Sequence, residues 1–157
     1  MVKAVLNDRE LVTDILTHSF IDNKSVNYIV KQDKKKVKRI KSLMKYSFDI
    51  CYLYGDVFLS DDRKGCALIL RPDRKKTTLR SILLDLKLVV CVAGFSNIKR
   101  AISRESAISN VHPGKNIYYL WFIGVESSQQ GQGVGSHLLG EIIQKGSSEN
   151  RAICLNH

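Results

Sequence analysis

From Gln130 to Ser136 the chain reads Gln-Gly-Gln-Gly-Val-Gly-Ser, with an apolar run before it and a helical pattern after it. A strand, a glycine-containing turn and a helix in that order make an anion site. The first amides of a helix have no internal partners, and the helix dipole adds partial positive charge there. Gly131, Gly133 and Gly135 let the backbone come close to a bulky phosphate and take angles that a side chain forbids. Two nucleotide motifs fail on this stretch. A P-loop ends in Gly-Lys-Ser/Thr, and Gly135-Ser136-His137 offers no lysine. A dinucleotide fingerprint needs a glycine where Ser136 stands and an acidic residue about twenty positions on, where Arg151 stands.

Acid–base groups are harder to read. Glu126 ends the apolar run and could serve as a base, although a carboxylate at a strand end is ordinarily just solvated. His112 precedes Pro113 in a loop with no visible partner, and His137, in the helix that follows the turn, reads as a surface or cofactor-adjacent residue and not as a base. Tyr118, Tyr119 and Trp121 read as core or cleft lining. No Ser-His-Asp set and no metal-ligand spacing can be assembled. Cys51, Cys66, Cys91 and Cys154 form no C-x-x-C pair and have apolar neighbours, as buried free thiols in a reducing compartment do.

The elements that must position the turn follow from periodicity. Val2 to Leu6 predicts a short first strand, and Asn7 or Asp8 caps a helix that turns Leu11, Val12 and Ile15 inward. Phe20 to Ile29 predicts a second short helix, and Val37 to Met44 an amphipathic one with its lysines in water. Cys51 to Leu59 alternates like a strand, Ser60 to Gly65 supplies turn chemistry, and Cys66 to Leu70 returns as the second arm of a hairpin. Thr77 to Ile108 shows helical spacing, and Val111 to Asn116 is a loop. Ile117 to Val125, dominated by aromatic and β-branched residues, predicts a central strand buried on both faces. Val134 to Ile143 is helical, with Val134, Leu138, Leu139, Ile142 and Ile143 on one face; Gly146-Ser147-Ser148 ends it, and Ala152 to Leu155 begins another buried strand. This order predicts an α/β or α+β domain with a mixed sheet.

Twenty-five basic residues against fifteen acidic ones give the chain a formal charge of +10, concentrated at Lys31 to Lys45, Arg71 to Arg80 and Lys99 to Arg104. A positive surface favours polyanions. Lys34-Lys35-Lys36 has no interleaved aromatics for base stacking, which argues against nucleic acid as the partner. The most apolar stretch, Ile82 to Phe95, carries Asp85 and Lys87 and is too short to span a bilayer. The expectation is a soluble, cytoplasmic protein that does not enter a membrane.

Gln130, Gly133 and Gly135 also satisfy Gln/Arg-x-x-Gly-x-Gly/Ala. This resembles the pyrophosphate-binding segment of the GNAT superfamily of N-acetyltransferases. The run Tyr118-Tyr119-Leu120-Trp121-Phe122-Ile123-Gly124-Val125, followed by Gln130 to Leu139, is similar to the branch that includes puromycin N-acetyltransferase. The resemblance implies a mostly antiparallel mixed sheet flanked by helices and a transfer of acetyl from acetyl-CoA to an amine of a small molecule or peptide. It implies that the backbone at Ile123 and Val125 splays from its neighbour to bind the pantetheine arm. The amides of Gly131, Gln132, Gly133, Val134 and Gly135, with the Gln130 backbone, wrap the pyrophosphate, and Ser136 adds a hydroxyl. Lys115 and Arg151 are both open as ligands of the 3′-phosphate, and the stretch 77–110 falls on the acceptor side. In the family a further helix bearing a tyrosine acid, and then more strands, follow a strand like Ala152 to Leu155. Residues 1–157 are therefore expected to form a single, C-terminally incomplete domain, whose catalytic acid and base are unassigned; either the chain is truncated or a partner chain completes it, and a homo-oligomer is open. A non-catalytic acyl-CoA-binding module and a basic nucleic-acid-binding protein are the rival expectations.

Overall fold

The longest apolar run becomes the strand on which the rest is built. In the computed structural model, which describes residues 1–74 and 116–155, Ile117–Val125 forms β4. Before it come β1 (Val2–Lys3), α1 (Arg9–Phe20), α2 (Lys24–Ile29), α3 (Lys36–Tyr54), β2 (Gly55–Leu59) and β3 (Gly65–Leu70). After it come α4 (Val134–Ser148) and β5 (Ala152–Leu155). The five strands lie in the order β1-β2-β3-β4-β5. The first four are antiparallel to one another, and β5 runs parallel to β4. The expected mixed, mostly antiparallel sheet is present.

Strand alternation divides the core into two layers. Val57, Leu59, Cys66, Leu68 and Phe122 meet α1 and α3 through Val12, Leu16, Ile40, Met44 and Phe48. Phe58, Ala67, Ile69, Tyr118 and Leu120 face the other way and meet Leu138 and Ile142 of α4. Cys51 and Cys66 are buried in the first layer, and desolvation pushes both thiols up, away from reactivity. Cys154 is half-buried, which departs from the expectation of a fully buried thiol.

Several boundaries differ from the sequence expectation. Cys51 to Tyr54 belongs to the last turn of α3 and not to the hairpin. Ile40, Leu43, Met44, Ser47, Phe48, Cys51 and Tyr54 continue one buried helical face, and this long-range packing overrides the local β preference. The strand starts at Gly55. The first strand stops at Lys3, because the Asp8 carboxylate accepts the Val5 N–H at 2.8 Å and winds Leu6–Asp8 into a 3₁₀ turn. That backbone contact, then Arg63, holds the Asp8 carboxyl below its usual range. Asn23, whose side chain accepts the Val26 N–H, starts the second helix later than expected.

Helix α4 runs on through Gly146, which is buried against Ile153 and the Arg151 carbonyl, where a Cβ would come within 2.5 Å of a neighbouring atom. Ile143 is exposed, not on the buried face, and β5 is a half-exposed strand, not a buried one. It pairs on one side only among the described residues, so its alternate residues keep contact with water. Readings that fell on Thr77 to Ile108, Cys91, His112 and Lys115 lie outside the described residues.

Candidate functional site

The site is built where β4 loses one of its neighbours. Strand β5 accompanies β4 from Ile117 to Leu120, the last pair being Leu120 with Leu155. At the next residue the register with β3 shifts: Ile69 faces Leu120 and Leu68 faces Phe122, so Trp121 is the extra residue of a bulge. A bulge bends its strand and sharpens the local twist. From Trp121 to Val125 the strand keeps β3 on one side and has no strand partner on the other among the described residues.

The orientation of that open edge follows from one hydrogen bond. The Glu126 N–H donates to the Lys64 carbonyl at 2.8 Å, toward β3. On an antiparallel strand alternate residues direct their backbone groups to opposite sides. Phe122 and Gly124 therefore face β3, and Ile123 and Val125 face the open side. Ser19, near the end of α1, donates its hydroxyl to the Val125 carbonyl at 2.9 Å. Gly124 is what permits α1 to come so near, since a Cβ there would sit 2.9 Å from Ser19 Oγ and 3.0 Å from Leu16 Cδ2. Among the described residues, the groups of the open edge without a partner are then the Ile123 amide unit and the Val125 N–H.

The chain leaves β4 through a 3₁₀ turn at Ser127–Gln129 and enters the glycine stretch. Gly131 has φ +77° and Gly133 φ +83°, a region that L side chains avoid. A Cβ at either position would meet nothing within 4 Å, so the glycines serve backbone conformation and access, not packing. Gly135 differs: it sits over Val125, 3.7 Å from Cγ1, and lets the helix start close to the sheet. Gln130 N–H reaches Ser127 O at a long 3.4 Å, and Gln132 N–H reaches Gln129 O at 3.3 Å. The Gly131 and Gly133 amides have no hydrogen-bond partner among the described residues. They adjoin the unpartnered first amides of α4, whose first turn contains no acidic residue. Ser136 is exposed at the same helix start. Sequence placed these residues together, and they stand together: an amide-lined turn at the open end of β4.

Other candidates are placed elsewhere or engaged. His137 is exposed and pairs with Glu141 at 3.8 Å. Glu126 is half-exposed, its carboxylate 3.5 Å from the Ser128 hydroxyl. Arg151 is removed as a phosphate ligand. Its guanidinium forks onto Asp73 at 2.8 and 2.9 Å and touches the Ile117 carbonyl, at the opposite end of β4.

That opposite end holds a polar cluster that sequence reading missed. Arg71, 6% exposed, donates through Nε to Asp56 at 2.7 Å and through Nη2 to the Tyr118 hydroxyl at 2.6 Å. Tyr118, fully buried, donates to Glu149 Oε2 at 2.5 Å. Lys3 and Lys145 close the cluster on Asp56 and Glu149. The Tyr118 phenol, then Lys145, hold the Glu149 carboxyl down at about 2. Burial, then the Glu149 contact, pushes the phenol well above its ordinary range. The available signal was an arginine directly after a strand, set before Pro72, where a solvated cation was the ordinary reading.

Comparison with known proteins bears on the same region. No curated protein matches the chain. The model of the Acetyltransferase (GNAT) family matches residues 89–155, a stretch that includes β4, the glycine turn, α4 and β5. Among solved structures, the chain is similar to a Corynebacterium glutamicum protein described as histone acetyltransferase HPA2 and related acetyltransferase. The TM-score is 0.64 at 19% identity, over 92% of this chain and 69% of that one. An N-acetyltransferase of Staphylococcus aureus gives a TM-score of 0.46 at 14% identity, over 91% and 74%. The first likeness is one of fold alone, and the Acetyltransferase (GNAT) family model is matched within residues 89–155.

Proposed function

We propose that the chain binds acetyl-CoA along the open edge of β4 and the glycine turn and transfers the acetyl group to an amine. The observation that carries this reading is the pair of left-handed glycines, Gly131 and Gly133, with unengaged amides and open space above them. Such a cradle suits a pyrophosphate, whose charge backbone amides can neutralise without a lysine. In this reading the amides of Gly131, Gly133, Val134 and Gly135 hold the pyrophosphate, with the Gln130 and Gln132 backbone completing the turn and the Ser136 hydroxyl at its exit. The Ile123 amide unit and the Val125 N–H take the pantetheine arm as a neighbouring strand would.

Acetyl-CoA supplies an activated acyl group as its thioester. The residues of the chain orient that group and supply hydrogen bonds at the strand edge, where an N–H aimed at a carbonyl oxygen stabilises the charge that grows there during attack. Ser19 keeps the Val125 carbonyl occupied, so that the open edge presents donors at this point.

The test is a thermal-shift titration with CoA and acetyl-CoA, followed by turnover with a panel of amines. CoA is expected to raise the melting temperature of the wild type and not that of Gly133→Glu, in which a carboxylate fills the cradle. Equal protection of both proteins sinks the assignment of the site. Protection without thiol release from acetyl-CoA with any amine leaves binding standing and removes the transfer.

A further inference from the structure

Helices α1 and α3 are held together by a ladder of acid–lysine pairs that stops partway. Glu10 of α1 meets Lys45 at 2.5 Å, and Asp14 meets Lys41 at 2.5 Å. Lys38, Lys41 and Lys45 stand three and four residues apart, one stripe along α3. Lys34 and Lys35 lie in the turn that leads into the helix. The acids of α1 end at Asp14, and the next position on that face is His18, whose ring folds back to the Asp14 carbonyl. Lys34, Lys35 and Lys38 are exposed, and none has a carboxylate partner among the described residues. Arg39 is committed to Asp33.

The end of the ladder lies at a defined place. The pairing 10–45 and 14–41 makes α1 and α3 antiparallel, so Lys38 comes level with the last turn of α1, and Lys34 and Lys35 lie in the turn just before α3. That turn contains Ser19, which touches Val125 at the open edge of β4. The unpaired lysines thus flank the end of the molecule where acetyl transfer is proposed, with α1 between them and the strand. Packed helix axes lie about 8–10 Å apart. A small amine bound at the edge does not reach that far, whereas about three to five residues of extended peptide do.

We infer, resting on the acetyl-transfer reading above, that the acceptor is a polypeptide whose amine is flanked by an acidic segment, which docks on Lys34, Lys35 and Lys38. Carboxylates are favoured over phosphates by the pattern of the ladder itself, in which the neighbouring lysines already hold Glu10 and Asp14. The free set also contains no arginine to offer the planar fork that suits phosphate.

The experiment uses a fluorescein-labelled peptide with one lysine among glutamates and a counterpart with every glutamate replaced by glutamine. Binding is read by anisotropy and acetylation by thiol release. Wild type is expected to bind the acidic peptide about tenfold more tightly than its counterpart at low salt, with the gap narrowing as salt rises. In Lys34→Glu/Lys38→Glu the gap is expected to vanish or reverse, and in Lys34→Gln/Lys38→Gln to shrink. For acetylation, KM for the acidic peptide is expected to rise about tenfold in the first variant, with kcat and KM for acetyl-CoA unchanged. A wild type indifferent to peptide charge, a variant that keeps the preference, or unchanged KM overturns the inference. Tighter binding of a single-stranded DNA oligomer than of the glutamate peptide also overturns it, in favour of a nucleic-acid surface. Failure of CoA to protect the wild type would defeat the transfer reading by itself, because peptide preference is measured without CoA.

Discussion

The two ends of β4 carry polar groups in opposite states. At the Tyr118 end, Arg71, Asp56, Tyr118 and Glu149 are packed against one another, and the charges at the centre are almost out of water. At the Val125 end, the amides of Gly131 and Gly133 have no protein partner among the described residues, and a Cβ at either glycine would meet open space. Both arrangements follow one rule, that a polar group out of water must be paired. The first set is paired internally and so contributes to the specificity of the fold. The second is left in water and so is available to a ligand. The strand between them is common to both, so substitutions at its two ends should separate stability from binding.

The largest effect is expected at the closed end. Arg71→Ala leaves Asp56, 3% exposed, as a buried carboxylate whose remaining cation among the described residues is Lys3. Breaking a buried pair from one side costs about 3–5 kcal/mol. Urea unfolding followed by circular dichroism should show the midpoint falling by that equivalent, with the CoA-induced thermal shift retained wherever the variant is folded. A loss under about 1 kcal/mol would mean that the cluster is better hydrated than its burial indicates.

Tyr118→Phe is the next in size and also changes the response to acid. The phenol donates to Glu149 and accepts from Arg71, so its removal should cost about 1–3 kcal/mol, the range for hydrogen bonds to charged groups. Glu149 has its native pKa lowered to about 2, chiefly by that phenol. Its stabilisation is therefore complete above the ordinary glutamate range and is lost as pH falls toward about 2. Without the phenol the native pKa rises, and acid unfolding should begin at a higher pH. Melting temperatures between pH 7 and pH 2 check this; coincident acid limbs for variant and wild type would remove Tyr118 as the cause.

These two regions were also unequally legible. The glycine turn could be read from residue types alone, because positive φ, close approach and a helix start each restrict the choice to glycine or to small residues. The order of elements along the chain and the strand at β4 followed from apolar runs. The end of α3 did not, since Cys51 to Tyr54 suits a strand locally and is helical through contacts with residues far along the chain. The cluster at Arg71 could not be read either. Asp56, Arg71, Tyr118 and Glu149 lie up to 93 positions apart, 149 minus 56, and each alone looks like a surface or core residue of the usual kind. Only the pairing of β2, β3 and β4, with the end of α4 set beside Tyr118, brings them to one place. The open edge at Ile123 and Val125 was implied by family resemblance. The bulge at Trp121 and the Ser19 contact, which orient it, carry no sequence signal.

Gly133→Ala tests the open end with the smallest expected change in stability. At φ +83° a methyl group meets no atom within 4 Å, so the variant carries a backbone penalty and no packing penalty. Left-handed backbone costs a non-glycine residue about 1–2 kcal/mol, below the loss expected for Arg71→Ala. The ligand response should invert the ranking. The turn can relieve its strain only by rotating the amides that follow it, and those amides are the donors proposed for pyrophosphate. CoA affinity, measured by isothermal titration, should therefore fall by about tenfold or more, since one or two charge-assisted hydrogen bonds are misaligned. Arg71→Ala, measured in the folded range, should bind CoA as the wild type does. If Gly133→Ala keeps full CoA affinity while losing the expected stability, the left-handed turn serves the start of α4 alone and the cradle is not the binding feature.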